Sequence, residues 1–221
     1  MHIRGFQGVH SGELKWFCEP SKWKVEDGKR EGRDGSWTLR DDGALILCPP
    51  AKKDFWRLTY YDPPFIKDDA PSLLAEIPFK EFTIETSFTI LAKSMFDQAG
   101  ILLRVDEENW VKTGLEVVDG IPRLSCVVTH VNSDWSTSVW DSTTLRIRVS
   151  VLRDSVVVES FKNQQWYLVR IAPFRAKSII HGGVFAACPE DQRGCEVNFN
   201  KFTVQKGANI NHNADGNKDS I

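Results

Sequence analysis

AGILLRVDEENWVKTGLEVVDGIPRLSCVVT, residues 99–129, reads as three consecutive antiparallel strands and decides the fold. Asp119-Gly120 lies between two strand-like runs, and a type I′ reversal there needs positive φ at both central residues, which this dipeptide tolerates. A two-residue turn sets the register: Val118 opposite Ile121, Glu116 opposite Arg123, Gly114 opposite Ser125, Lys112 opposite Val127, Trp110 opposite Thr129. Side chains alternate with period two, so paired residues share a face. One face carries Val111, Thr113, Leu115 and Val117 against Leu124, Cys126 and Val128, and is a core face. The other carries Trp110, Lys112, Gly114 and Glu116 against Arg123, Ser125, Val127 and Thr129.

The preceding turn extends this split. Ile101, Leu103 and Val105 belong with the aliphatics, so Gly100, Leu102 and Arg104 join Trp110, Lys112 and Gly114. Only an odd loop around Asp106–Asn109 keeps that parity. Gly100 and Gly114 then lie together in strand interiors, where glycine marks either a close approach to the backbone or a packing accommodation.

Working outward, Phe82–Ile90 (FTIETSFTI) and Leu145–Val151 (LRIRVSV) alternate cleanly as half-buried strands. Asp154–Phe161 and Trp166–Ile171 form a hairpin across Lys162–Gln165. Ala44–Cys48, Gly183–Cys188 and Glu196–Val204 complete the pattern, with a short strand at Trp23–Val25. Asp54–Tyr61 (DFWRLTYY) is aromatic on both faces, with Trp56, Leu58 and Tyr60 assigned to the core. PPFIKDDAPSLL is read as a long loop forming a rim, and HVNSDWSTSVWDS, after Thr129, as a polar loop holding Trp135 and Trp140. Residues 28–42 are charged and glycine-rich, an exposed excursion with Trp37 as its large apolar group. No window shows helical periodicity. The expectation is an all-β, two-sheet antiparallel β-sandwich over residues 1–204, with a disordered polar tail at 205–221.

Length suits one large β domain with a sizeable core. With 28 basic and 30 acidic residues, the chain carries no field that attracts nucleic acid or anionic membrane, so neither is an expected partner. No apolar run is long enough for a membrane helix, and the first residues lack the apolar segment of a secretory signal. Five cysteines, with no C-x-x-C pair, and the lack of any N-x-[ST] acceptor favour a reducing, cytoplasmic setting.

DFWRLTYYD at 54–62, FDQAGILLRVDEENWVKTGLEVVDGIPRLSCVVT at 96–129, SDWS at 133–136, and DSVVVES followed by WYLVRIAPF resemble the domain-of-unknown-function family 1349. The resemblance covers roughly residues 16–204 and implies a concanavalin A-like lectin/glucanase jelly roll. That family has no established catalytic residues, so none is carried over. One of its members is named for regulation of enolase, which implies a protein-interaction role on a metabolic enzyme, with Trp37, Phe65 and Tyr61 as contacts.

Glycosidases on that fold set paired carboxylates on one strand face, commonly as E-x-D-x-x-E, and no such spacing occurs here. A glycoside-active alternative would use Glu116, or less directly Glu85, with a second acid from Asp97 or Asp106. An ion pair with Arg123 would hold the Glu116 pKa low. The five histidines are scattered, so no metal site or cofactor is expected, and Asp106–Asn109 reads as a solvated turn rather than a calcium loop. The favoured expectation is non-catalytic binding of a carbohydrate or similar polyol on a concave sheet face. Its candidate residues are Arg104, Lys112 and Glu116 around the glycines, Trp110 beside them, Asp97 and Gln98 at the edge, and Trp135 closing over. The competing structural reading packs the indoles away and makes Arg104, Lys112 and Glu116 a buried ionic cluster that fixes sheet pairing.

Overall fold

Asp119 (φ 55°) and Gly120 (φ 76°) form the tight reversal, and every cross-strand pair expected from it is present, from Val118 opposite Ile121 to Trp110 opposite Thr129. The computed structural model describes residues 37–40, 44–175, 178–190 and 194–211. The strand expected at Trp23–Val25 and most of the 28–42 excursion lie outside them.

Numbered in chain order, seven strands form one antiparallel sheet: β1 (Trp37–Leu39), β2 (Leu45–Leu47), β15 (Glu196–Lys206), β6 (Phe82–Leu91), β11 (Thr144–Leu152), β12 (Ser155–Lys162) and β13 (Gln165–Pro173), in that spatial order. Six form the second: β10 (Asn132–Val139), β9 (Ile121–His130), β8 (Asn109–Val118), β7 (Gln98–Arg104), β14 (Ile180–Ala187) and β5 (Ser72–Ile77). A short pair, β3 (Phe55–Arg57) with β4 (Ile66–Asp68), stands apart from both. No helix occurs among the described residues. This is a two-sheet β-sandwich.

The inner faces meet where alternation placed them. Ile101, Leu103, Val111, Leu115, Leu124, Cys126 and Val128 pack against Phe82, Ile84, Phe88, Ile90, Leu145, Ile147 and Val149, all buried. The β7–β8 connection spans five residues between the Arg104–Trp110 pair, the odd count that parity required. Asp106 closes it by accepting from Glu108 N and Asn109 Nδ2, both at 2.8 Å, which is a self-contained turn.

Four assignments change. HVNSDWSTSVWDS is largely strand, because Val131 (φ 65°) reverses the chain in one residue and β10 zips onto β9. As an exposed edge strand it carries no apolar alternation. Ser72–Leu74, read as the end of a loop, begin β5; Leu73 and Ile77 join the inter-sheet core and Leu74 packs on the outer side, so apolar residues occupy both its faces. Trp37 sits in β1 and is buried rather than presented to solvent, which removes it as a partner contact. The domain boundary at 204 falls inside β15, and residues 207–211 lie over the outer face of the seven-stranded sheet. There Asn209 N donates to Thr83 Oγ1 and Asn211 N to Glu159 Oε1, both at 2.8 Å.

Gly100 and Gly114 are direct cross-strand partners. A Cβ on Gly100 would lie 1.9 Å from Thr113 O, and one on Gly114 1.9 Å from Ala99 O. The strands themselves make the close approach, so the pair is a packing requirement and not a floor left open for a ligand. Because backbone rather than a flexible side chain must yield, Gly100→Ala is expected to cost about 3 kcal/mol or more. Urea unfolding checks this, and a loss under about 1 kcal/mol would contradict the close approach.

Candidate functional site

The outer face of the six-stranded sheet is partly covered. Gln98, Leu102 and Arg104 of β7, Trp110, Lys112 and Glu116 of β8, Ser125 and Val127 of β9, Trp135 of β10 and Phe185 of β14 all share it by register. The β3–β4 pair lies across it. Phe55, fully buried, packs its ring 6.0 Å from Trp110 at 57° and 6.2 Å from Phe185 at 74°. Ala70, Leu74, Leu102, Val127 and Ala187 complete this second apolar core.

Polar anchors surround the wedge. Asp54 Oδ1 accepts from Lys112 Nζ (2.9 Å), Gln98 Nε2 (3.2 Å) and Phe55 N (2.7 Å). Arg104 forks onto both oxygens of Asp68, its Nη2 reaching Oδ2 at 2.7 Å. Arg57 donates to Val131 O (3.0 Å) and Glu108 Oε1 (2.7 Å), and its backbone N to Ser133 Oγ (3.0 Å). Beyond Arg57 the alternation of DFWRLTYY breaks, because Leu58 and Tyr60 adopt φ of 61° and 76°. The set assigned to the core is therefore largely displaced: Phe55 and Arg57 face the sheet, Trp56 packs half-buried against the second apolar core and walls the pocket, and Tyr60 is 90% exposed.

What the cap leaves uncovered is a pocket of about 850 Å³. Lys112, Glu116, Asp54 and Val127 floor it, and Trp56, Tyr61, Phe65, Phe96 and Trp135 wall it. Trp135 stands edge-on to Trp56 (6.4 Å, 90°) and to Phe96 (6.3 Å, 72°). Tyr61 lies 4.5 Å from Phe65. Trp56 is held by Nε1 donating to Thr59 O at 2.9 Å. Glu116 Oε2 accepts from Ser125 Oγ (2.7 Å) and Trp135 Nε1 (3.0 Å). Burial, helped by the nearby charge of Asp54, holds the Glu116 carboxyl above its ordinary range despite Lys112 and those two donors.

The expected site residues divide. Lys112, Glu116 and Trp135 line the pocket, Trp135 from a strand rather than a loop. Gln98 stands behind Asp54 as a support. Trp110 is sealed under Phe55 and offers no platform. Arg104 is engaged with Asp68 under the cap, outside the pocket lining. Asp97, one residue out of phase with Gln98, belongs to the opposite side and caps the 93–94 turn through Oδ2. The Glu116–Arg123 ion pair is absent among the described residues. Although the two are cross-strand neighbours, Glu116 turns to Ser125 and Trp135, and its pKa moves up, not down. Sequence reasoning missed Asp54, Trp56 and Phe96. A signal for the first two existed, since a polar face that also carries Leu102, Trp110 and Val127 needs an apolar lid, and DFWR is amphipathic enough to supply one.

Fold and capped face together define a concanavalin A-like β-sandwich. The family model described as "Protein of unknown function (DUF1349)" matches residues 32–207, and the chain belongs to that family. It is 33% identical over 189 residues to Regulation of enolase protein 1 of Saccharomyces cerevisiae, covering 81% of this chain and 93% of the relative. The crystal structure of a functionally unknown protein from S. cerevisiae matches with TM-score 0.71 at 32% identity, over 79% of this chain and 96% of that one. The GH43 protein BlXynB from Bacillus licheniformis matches with TM-score 0.64 at 14% identity, over 78% of this chain and 35% of that one, a likeness of fold alone.

The raised Glu116 pKa has a testable sign. The native state holds that proton more tightly than the unfolded chain, so the group's contribution is fully present below its ordinary pKa of 4.5 and is lost as pH rises through the native value. Glu116→Gln keeps an acceptor for Ser125 and Trp135 without the titration. Its Tm is expected to gain on wild type as pH is raised above 4.5, and parallel Tm profiles would contradict the assignment.

Proposed function

We propose that this chain is a non-catalytic binding protein that takes a carbohydrate or similar polyol into the pocket between the cap and Trp135. The carrying observation is the Asp54–Lys112–Glu116 floor set beneath indole and phenyl walls. Aromatic faces stack on the C–H surfaces of a sugar, while fixed charged groups bind its hydroxyls, and a pocket of this size is in the range that encloses a small ligand. The carboxylates are already committed: Asp54 Oδ1 takes three donors and Glu116 Oε2 takes two, which suits a preorganised receptor better than an acid–base pair.

Calorimetric titration with a panel of neutral mono- and oligosaccharides and polyols tests this. Wild type is expected to bind one class, and Trp135→Ala to weaken it by about tenfold or more. Tyr167→Ala, exposed on β13 of the other sheet, is expected to bind as wild type. No binding to any of the panel, or equal binding after Trp135→Ala, overturns the reading.

A second reading rests on Tyr60, 90% exposed on the pocket lip beside Tyr61 (5.3 Å). Together with a relative named for regulation of enolase, it favours a regulatory contact with a metabolic enzyme. That reading expects enolase to co-purify with wild type, to persist with Trp135→Ala, and to be lost with Tyr60→Ser.

A further inference from the structure

Cys188 follows β14, Cys195 precedes β15 and Asp97 precedes β7, and the fold brings all three to one end of the sandwich, between the sheets. Their two Sγ atoms and a carboxylate oxygen lie within 4.8 Å of one another. All are buried, Asp97 being only 1% exposed. Asp97 Oδ2 accepts from Lys93 N (2.7 Å) and Ser94 N (3.0 Å). Its other oxygen, Oδ1, is equally buried and has no hydrogen-bond partner among the described residues. A buried carboxylate oxygen without a donor is destabilising unless something satisfies it. Cys188 Sγ, for its part, accepts from Cys195 N at 3.0 Å.

We propose that Asp97 Oδ1, Cys188 Sγ and Cys195 Sγ bind one soft divalent cation of the Zn²⁺ class. Two sulfurs and one carboxylate make a donor set that suits zinc and not the hard cations Ca²⁺ and Mg²⁺. A Cys188–Cys195 disulfide would leave Asp97 Oδ1 unpartnered, whereas a cation satisfies all three atoms. Cys48, an exposed thiol just after β2, stands near both cysteines. The chain leaving Cys48 passes directly beside the cluster: Ala51 and Lys53 bridge to Cys188, and Pro49 O lies 2.9 Å from where a Cβ on Gly194 would be.

The role is structural. An ion here joins β7 and β14 of one sheet to β15 of the other. It also steadies the pocket from behind. Lys53 N donates to Cys188 O at 3.2 Å, one residue before Asp54, and Pro189 and Glu190 line the pocket rim. Neither C-x-x-C nor histidine spacing announces such a site. Cys188 and Cys195 are seven residues apart, and Asp97 comes from a distant segment just before β7.

Cobalt titration of the reduced, metal-stripped full chain tests the site. One equivalent of Co²⁺ is expected to produce thiolate-to-cobalt charge-transfer absorption that Zn²⁺ abolishes, with a Zn²⁺-dependent rise in Tm. Cys195→Ser and Asp97→Asn are expected to lose or weaken the band. Cys126→Ser, buried elsewhere in the core, is expected to keep it. Should the variants fail to fold, the wild-type titration alone decides. A wild type with no band at one equivalent, or a band unchanged in Cys195→Ser, overturns the site.

Discussion

Phe55 is the wedge on which the outer face depends. Its ring enters between Trp110 and Phe185 and brings β3–β4 down onto the six-stranded sheet. Without it, Leu102, Trp110, Val127 and Phe185 would form a continuous exposed apolar patch, which soluble proteins avoid. Burying a phenyl group of this size contributes about 1.5–3 kcal/mol, enough to order a short hairpin when the polar anchors around it are also made. The cap thereby turns a sheet face into a pocket, walled where Trp56 meets Trp135 edge-on.

The charges then follow from the apolar geometry. Lys112 and Asp54 are taken out of water together, and each is hydrogen-bonded, the condition under which a buried pair is tolerated. Arg104 and Asp68 lock the far side of the cap in the same way. The residues singled out from sequence alone therefore divide between cap and pocket. Arg104 and Trp110 are structural and hold the cap. Lys112, Glu116 and Trp135 face the pocket.

The central three strands were legible because a two-residue turn allows no slippage, and period-two alternation then assigns every side chain from Trp110 to Thr129. The same rule, carried one residue further, sets Asp97 opposite Gln98. The cap was not legible. Its strands are three residues each, too short for alternation to register, and the left-handed residues Leu58 and Tyr60 cannot be recognised from their type. β10 escaped because an edge strand exposed on most of its length need not be apolar. Asp54, which organises the pocket floor, reads in sequence as an ordinary strand-end acid, and only the long-range meeting with Lys112, 58 residues away, gives it a role.

Native-state hydrogen exchange compared between wild type and Phe55→Ala tests the wedge most directly. In wild type the β3–β4 amides are expected to exchange slowly, with protection approaching that of β7–β9. In Phe55→Ala the cap amides are expected to lose that protection selectively, while β8 and β9 keep theirs. Fast exchange of the cap in wild type, or unchanged cap protection after Phe55→Ala, would contradict the account.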